Sequence, residues 1–485
     1  MNNLDFTLLL LQTKICYNVA FLTYLFRYNS NKRQLVLISQ ILAILVFTIM
    51  FTAIIIGKVH RYIPALIGAF ITLFVVLFIT LHSSEAVFNV LNLNQLFHFN
   101  FWIPGQEHIE SRGINWQTII FIGGMMTMVE GLGEVGFFRW LCLYVAKKVN
   151  YKVVPILVTF MLLSGFLSMF IDSITVLLFL TLVTIELARL LKFDPVPIII
   201  AEIFAANCGG SATMCGDPPN IIIGTALGYT FSDFAKNTGP IAWIGMLLTL
   251  GFFYMAFRKS LKSSQGETTL THYPSPGDAI KKPGLFKLNS LIFIIVVILL
   301  VTHAQTGLSV ALIGVIAASF TLLASSKMAL HIIKRVDWRT LLFFIGLFVC
   351  VGGLEETGVL KIIAKFIGDI SGGNILIVIP IILWVSAFSS AIVDNIPFAA
   401  TMVPVISNLS KTAGLDLHTL AWTLALGTDI GGNATPIGAS ANVVGTAIAE
   451  REGYPISWGK FLKYALPAMI MVVAVCWLYL VIRYA

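Results

Sequence analysis

The sequence predicts an all-α polytopic membrane protein built as two inverted five-helix repeats, with about 10–11 transmembrane helices. Three observations lead there: apolar stretches of about 20 residues recur along the chain, the chain repeats itself at an offset of 222 residues, and aspartates interrupt otherwise apolar runs at equivalent places. Composition agrees. Of 485 residues, 58% are hydrophobic and 11% charged, too few charges to cover an aqueous surface. The alternating ten-residue segments of a membrane barrel are absent.

Taken in order, residues 1–34 hold an extra or interfacial helix (roughly 6–26), interrupted by Lys14 and lacking a small-residue cleavage site. The first repeat covers 35–257, with spans near 35–57, 62–82 and 115–132 and a short amphipathic helix at 134–149. The polar stretch 82–114 is expected to be a surface excursion. The apolar run 152–191 is too long for one crossing and breaks at Phe170-Ile171-Asp172-Ser173, which suits a re-entrant hairpin with its tip at mid-membrane. A broken helix follows at 195–227, interrupted by Gly209-Gly210 and Gly216-Asp217-Pro218-Pro219-Asn220, and then a last span at 239–257. Residues 258–287 form a polar linker. The second repeat covers 288–485, with its hairpin at 374–412 and its broken helix at 419–449.

The repeat is carried by residues that apolar sequences do not share by chance. Trp116, Glu134 and Gly136 align with Trp338, Glu356 and Gly358, and Asp172 aligns with Asp394. Gly209, Gly210, Thr213, Gly216 and Asn220 align with Gly431, Gly432, Thr435, Gly438 and Asn442. Five crossings per half force the second half to be inverted. Roughly two-thirds of the basic residues then fall on the linker side, which places the linker in the cytoplasm of a bacterial-type plasma membrane. The basic residues are scattered and form no nucleic-acid face; the partners expected are lipids and a small solute.

A carboxylate inside a membrane persists with a partner or a task. The candidate ion-binding residues are Asp172, Ser173 and Thr175 at the first tip, and Asn207, Thr213, Asp217 and Asn220 in the first broken helix. From the second half come Asp394 and Asn395 at the tip, and Asp429, Asn433, Thr435 and Asn442 in the broken helix. The aspartates at the tips also suit helix N-caps. With no Lys or Arg nearby in sequence, four carboxylates favour a cation or proton as one transported species. Glu134 and Glu356 read as acids at the start of the amphipathic helices, while Glu202 suits either a pathway or packing. Cys208 and Cys215 lie near the site and read as small packing residues. No nucleotide-binding loop occurs and the histidines lack metal-ligand spacing, so no cofactor is expected beyond bound Na⁺ or H⁺. The reading is a secondary transporter; a channel and an intramembrane aspartyl protease fit the duplicated units less well.

At Asp172-Ser173-Ile174-Thr175, Gly216-Asp217-Pro218-Pro219-Asn220, Asp394-Asn395-Ile396-Pro397 and Ile437-Gly438-Ala439-Ser440-Ala441-Asn442 the chain resembles the ion transporter superfamily. The branch it resembles holds the arsenite permeases, the P proteins and the NhaD-type antiporters. The resemblance covers roughly residues 35–485. It implies a homodimer with scaffold and transport domains, an elevator-type mechanism, and a site lined by both tips and both broken helices. It also implies cargo among arsenite, silicate, Na⁺ and H⁺, or organic anions. Asp172 and Asp394 stand where the dicarboxylate branch has serine, which disfavours a dianion; ion-coupled antiport is the reading, with arsenite or silicate efflux and organic-anion symport as alternatives.

Overall fold

The computed structural model describes residues 34–104, 113–264 and 273–484. The helix expected near 6–26 lies outside them. Among the described residues the secondary structure is helical throughout. Eight helices are long and apolar enough to cross a membrane, or ten if each of two sharply bent pairs is one span.

The first half contains α1 (Gln34–Ile56), α2 (Tyr62–Thr80), α3 (Trp116–Glu134) and α4 (Phe137–Lys148). These are followed by α5 (Val153–Ser168), α6 (Ser173–Leu191), α7 (Val196–Gly210), α8 (Pro218–Leu227) and α9 (Gly239–Ser264). The second half repeats them as α10 (Pro283–Thr306), α11 (Val310–Ala324), α12 (Trp338–Glu356) and α13 (Val359–Ser371). Its remaining helices are α14 (Ile375–Ile392), α15 (Asn395–Ala413), α16 (Leu417–Gly431), α17 (Ser440–Arg451) and α18 (Trp458–Tyr484).

Local chemistry explains the ends. Asn115 accepts a hydrogen bond from the Thr118 N–H at the start of α3, and Asp337 does the same for Thr340 at the start of α12. The turn after each of these helices passes through a left-handed glycine, Gly136 (φ 88°) and Gly358 (φ 82°), where a side chain would be strained. The chain bends there by 61° between α3 and α4.

Packing couples the halves reciprocally. α3 lies against α11 and α2 against α12; α6 lies against α17 and α8 against α15. Within each half, α5 packs on α7 and α14 on α16. Small residues permit the closest crossings, as expected of membrane helices. A methyl group on Gly124 would strike the backbone of Gly314, and one on Gly346 the backbone of Ala65. Likewise Gly209 meets the Gly165 carbonyl and Gly431 meets Ala387. α1 and α10 leave most of their apolar side chains on the outside, including Leu37, Ile41, Leu45, Leu291, Ile294 and Ile298.

Three expectations change. The stretch 82–114 is more than a surface excursion: Ser84–Leu91 is helical, Val90 approaches Gly352 of α12, and Phe101 is buried. Ala86, Val90 and Phe101 are buried, which the loop's overall polarity hid, while Phe88, Phe97 and Phe99 stay exposed. Glu134 closes α3 instead of opening α4, and pairs with Arg335 and His331 from the second half. Finally, Gly209 and Gly210 stay helical, so the first break is narrower than expected, at 211–217. Those glycines serve close approach, and it is Pro218 at the first position of α8 that starts the new helix.

Candidate functional site

The tips between α5 and α6 and between α14 and α15 meet the two helix breaks, 211–217 and 432–439, in the interior. The same hydrogen bonds hold both breaks. Asn220 Nδ2 donates to the carbonyls of Gly210 and Thr213, each at 3.1 Å. Asn442 Nδ2 donates to Gly432 and Thr435, each at 2.7 Å. Thr213 and Thr435 each donate from the hydroxyl at 2.5 Å, to Met169 and Ala391 before the respective tips. These four residues satisfy backbone groups that the breaks would otherwise leave unpaired inside the membrane. Thr213 and Thr435 therefore frame the site and spend their hydroxyls on the backbone.

Where the halves differ in sequence, side chains join across the centre. Asp217, whose counterpart is Ala439, accepts from Ser173 Oγ at 2.7 Å and from Asn395 Nδ2 at 2.6 Å. One carboxylate thus ties the two tips together. Asn207 Nδ2 donates to Asn433 Oδ1 at 3.0 Å and to Asn442 Oδ1 at 2.8 Å. Asn207, Asn220, Asp429, Asn433 and Asn442 are all fully buried.

Asp429 occupies the place of Asn207 in the second half, and it breaks the pattern. By the repeat, Asn207 bonding to Asn442 corresponds to Asp429 facing Asn220, and Asn220 and Asp217 are its polar neighbours. A carboxylate has no hydrogen to donate there. Both Asp429 oxygens lack a hydrogen-bond partner, and so do Asn220 Oδ1 and Asn207 Oδ1. The amide orientations are dictated by the donors already engaged. The centre therefore holds four buried acceptor oxygens against one unpartnered donor, Asn433 Nδ2, an excess of acceptors that a proton or a hard cation would fill.

The tip aspartates also differ from each other. Asp172 caps α6: it accepts from the Thr175 N–H at 3.0 Å and the Thr175 hydroxyl at 2.7 Å. In the second tip the position of Thr175 is Pro397, which has neither N–H nor hydroxyl. Asp394 receives only the Ile396 N–H locally, at 3.3 Å. Its other oxygen takes Arg61 Nη1 at 2.9 Å and Ser440 Oγ at 2.6 Å. The absence of a basic group, expected from sequence proximity, is corrected here: Arg61 arrives from 333 residues away. Arg61 also donates to Ser440 Oγ and to Thr340 Oγ1, and its guanidinium lies 5.0 Å from the centre of the Phe343 ring.

Asp172 borders a cavity of about 20 Å³ lined by Met125, Ile174, Cys215, Pro218 and Phe344 among others. That is room for about one water or a bare monovalent ion. Cys208 neighbours Cys476 and Asp429, and both Cys208 and Cys215 are buried packing residues. Two features escaped sequence reasoning, Arg61 with its Ser440 and Thr340 partners, and the role of Glu202. Glu202 is buried at the α6–α7 contact, where one oxygen accepts from Thr184 at 2.5 Å and the other has no partner.

Residues 51–427 match the model of the CitMHS family, described as citrate transporters. The chain belongs to this family. It is 34% identical over 374 residues to an uncharacterized transporter of Mycobacterium bovis, covering 77% of this chain and 87% of that one. It is 31% identical over 447 residues to the 46 kDa membrane protein of Mycobacterium leprae, covering 92% and 99%. The human P protein is 28% identical over 463 residues, covering 79% of this chain and 55% of that protein. These relatives bear out the resemblance to the ion transporter superfamily. The fold is similar to that of the Alcanivorax borkumensis YdaH transporter, with a TM-score of 0.52 at 14% identity over 82% of this chain and 88% of that one. This family member is an integral, multi-pass membrane transporter.

Proposed function

We propose that this transporter is ion-coupled and works by antiport, with H⁺ and a monovalent cation such as Na⁺ competing for the centre around Asp217 and Asp429. One observation carries the reading: the unpartnered oxygens of Asp429, Asn220 and Asn207 beside Asp217. A proton on Asp429 supplies the donor that Asn207 supplies in the other half, and closes the network onto Asn220. Without the proton, the same oxygens form a cluster for a hard cation. One or the other occupies the centre, and exchange between two such ligands at one alternating site is antiport.

The two tips, held by Asp217, would travel with the breaks as one transport body against α2, α3, α11 and α12. The outward apolar faces of α1 and α10 are surfaces for lipid or for the second copy of a homodimer. A second reading, cation-coupled uptake of an organic anion, is favoured by the family's description and by Arg61 at the second tip. Proteoliposomes with imposed pH and Na⁺ gradients, offered Na⁺, Li⁺, arsenite, silicate or citrate, decide between them. Alkalinisation of the lumen driven by a Na⁺ gradient alone supports antiport. Flux of citrate that requires inward Na⁺ or H⁺ supports the second reading, and flux with no gradient dependence sinks both.

A further inference from the structure

Arg61 reaches the second tip from outside the tips and the breaks. It precedes α2, so it belongs to the body against which the tips would move; here Ala65-Leu66-Ile67-Gly68 match Ala311-Leu312-Ile313-Gly314 at an offset of 246, and the residue corresponding to Arg61 is Gly307. It donates to Asp394 and Ser440 on one side and to Thr340 of α12 on the other. Its side chain is 27% exposed and that of Asp394 14%. The pair is therefore screened from bulk solvent yet remains within reach of it, where a charge pair exchanges partners without crossing an apolar barrier.

We propose that Arg61 is a tethered cation: it occupies Asp394 while the carrier holds no external cation at that tip, and the external cation displaces it. This rests on the reading that a cation binds around Asp217 and Asp429, and adds Asp394, whose charge acts on Asp217, to the groups it meets. Pro397 is what makes the arrangement possible, because it removes the local donors that quench Asp172 in the first tip. Thr340 Oγ1 accepts from Arg61 Nη2 at 2.9 Å while the pair is formed, and its own hydroxyl donates to Asp337 at 2.5 Å. Around the pair, Asp217 is in electrostatic reach of Asp394, Asp337 accepts from the Thr340 hydroxyl, and Arg339 adjoins with His60, 3.1 Å apart. Arg61 is the cation in direct contact with Asp394.

A tethered competitor weakens external binding by the fraction of time it holds the site. A pair formed nine-tenths of the time weakens it about tenfold. Arg61→Gln should therefore tighten the apparent affinity for Na⁺ or Li⁺ about tenfold, read by thermal-shift titration of the purified protein against choline chloride. If H⁺ is the displacing ion, the same variant shifts the pH midpoint of transport upward by about one unit. Arg61→Lys keeps the charge and should lie between the two. In liposomes, Arg61→Gln should slow exchange less than it tightens binding, lowering KM more than kcat.

Unchanged or weakened cation affinity in a folded Arg61→Gln protein overturns the proposal. Loss of citrate-dependent stabilisation in that variant, with cation affinity unchanged, also overturns it and assigns Arg61 to an anion instead. Should the wild-type protein show no dependence on Na⁺, Li⁺ or pH, it is the underlying cation reading that fails, which is a separate result. A variant too unstable to purify is replaced by Arg61→Lys, whose ammonium lacks the guanidinium fork; it should tighten cation affinity less than tenfold, and unchanged or weakened affinity there overturns the proposal as well.

Discussion

The two halves share a frame and differ in what the frame holds. Both breaks are braced by an asparagine and a threonine bonding to equivalent carbonyls, and both tips begin a helix at an aspartate. The first half then places Asp217 where the second has Ala439, and Asn207 where the second has Asp429. A duplicated scaffold makes two similar backbone cradles, and substitution of a few side chains turns them into one asymmetric site.

The strongest way to break the comparison is to make the halves alike. Asp217→Ala installs the second half's residue and severs both tips from the centre. Transport should fall more than about a hundredfold, and loss of two hydrogen bonds to a charged group should cost about 3 kcal/mol of stability. A variant with wild-type flux would show that Asp217 does not join the tips during transport. Asp429→Asn does the reverse and supplies the amide donor permanently. It should abolish coupled exchange while raising the melting temperature by a few degrees, since a buried unpaired carboxylate disappears. Retained H⁺-coupled flux in that protein would remove Asp429 from the coupling.

Next in size is the contrast between the tips. Asp394→Asn removes the partner of Arg61 and should reduce transport at least tenfold. Asp172→Asn preserves an N-cap and should change it less than about threefold. Equal effects in the flux assay would erase the distinction drawn between a capping aspartate and an ion-handling one. The smallest effect belongs to Glu202. Glu202→Gln should leave transport and its pH profile unchanged and shift stability by no more than about 1 kcal/mol, because an amide fits beside Thr184 as a protonated acid does. A displaced pH profile would make Glu202 part of a proton path.

Much of this was legible in the chain. The offset of 222 residues survives in glycine, asparagine and aspartate, residues kept for backbone approach and backbone pairing, so the breaks and tips could be located from the residues alone. Three mismatches between the halves, Ser173 with Asn395, Asn207 with Asp429 and Asp217 with Ala439, lie in or beside the central cluster. What could not be read were contacts made by the fold alone. Arg61 sits in a loop by its local sequence and reaches Asp394 across 333 residues. Glu134 looks like the first residue of a helix and finds Arg335 two hundred residues later. Long-range pairs of this kind leave no periodicity and no repeated counterpart.

The reciprocal seating of α2 on α12 and α3 on α11 has a consequence for how the protein is made. Ala65 of α2 and Gly124 of α3 are covered by α12 and α11 of the second half, so the first half alone would leave these small-residue faces without their partners. Neither half can complete this packing alone, and the expected course is a clasping of the two once α11 and α12 are inserted. Two separately encoded halves, cut within 258–287, should therefore be degraded when produced singly and rescue one another when produced together.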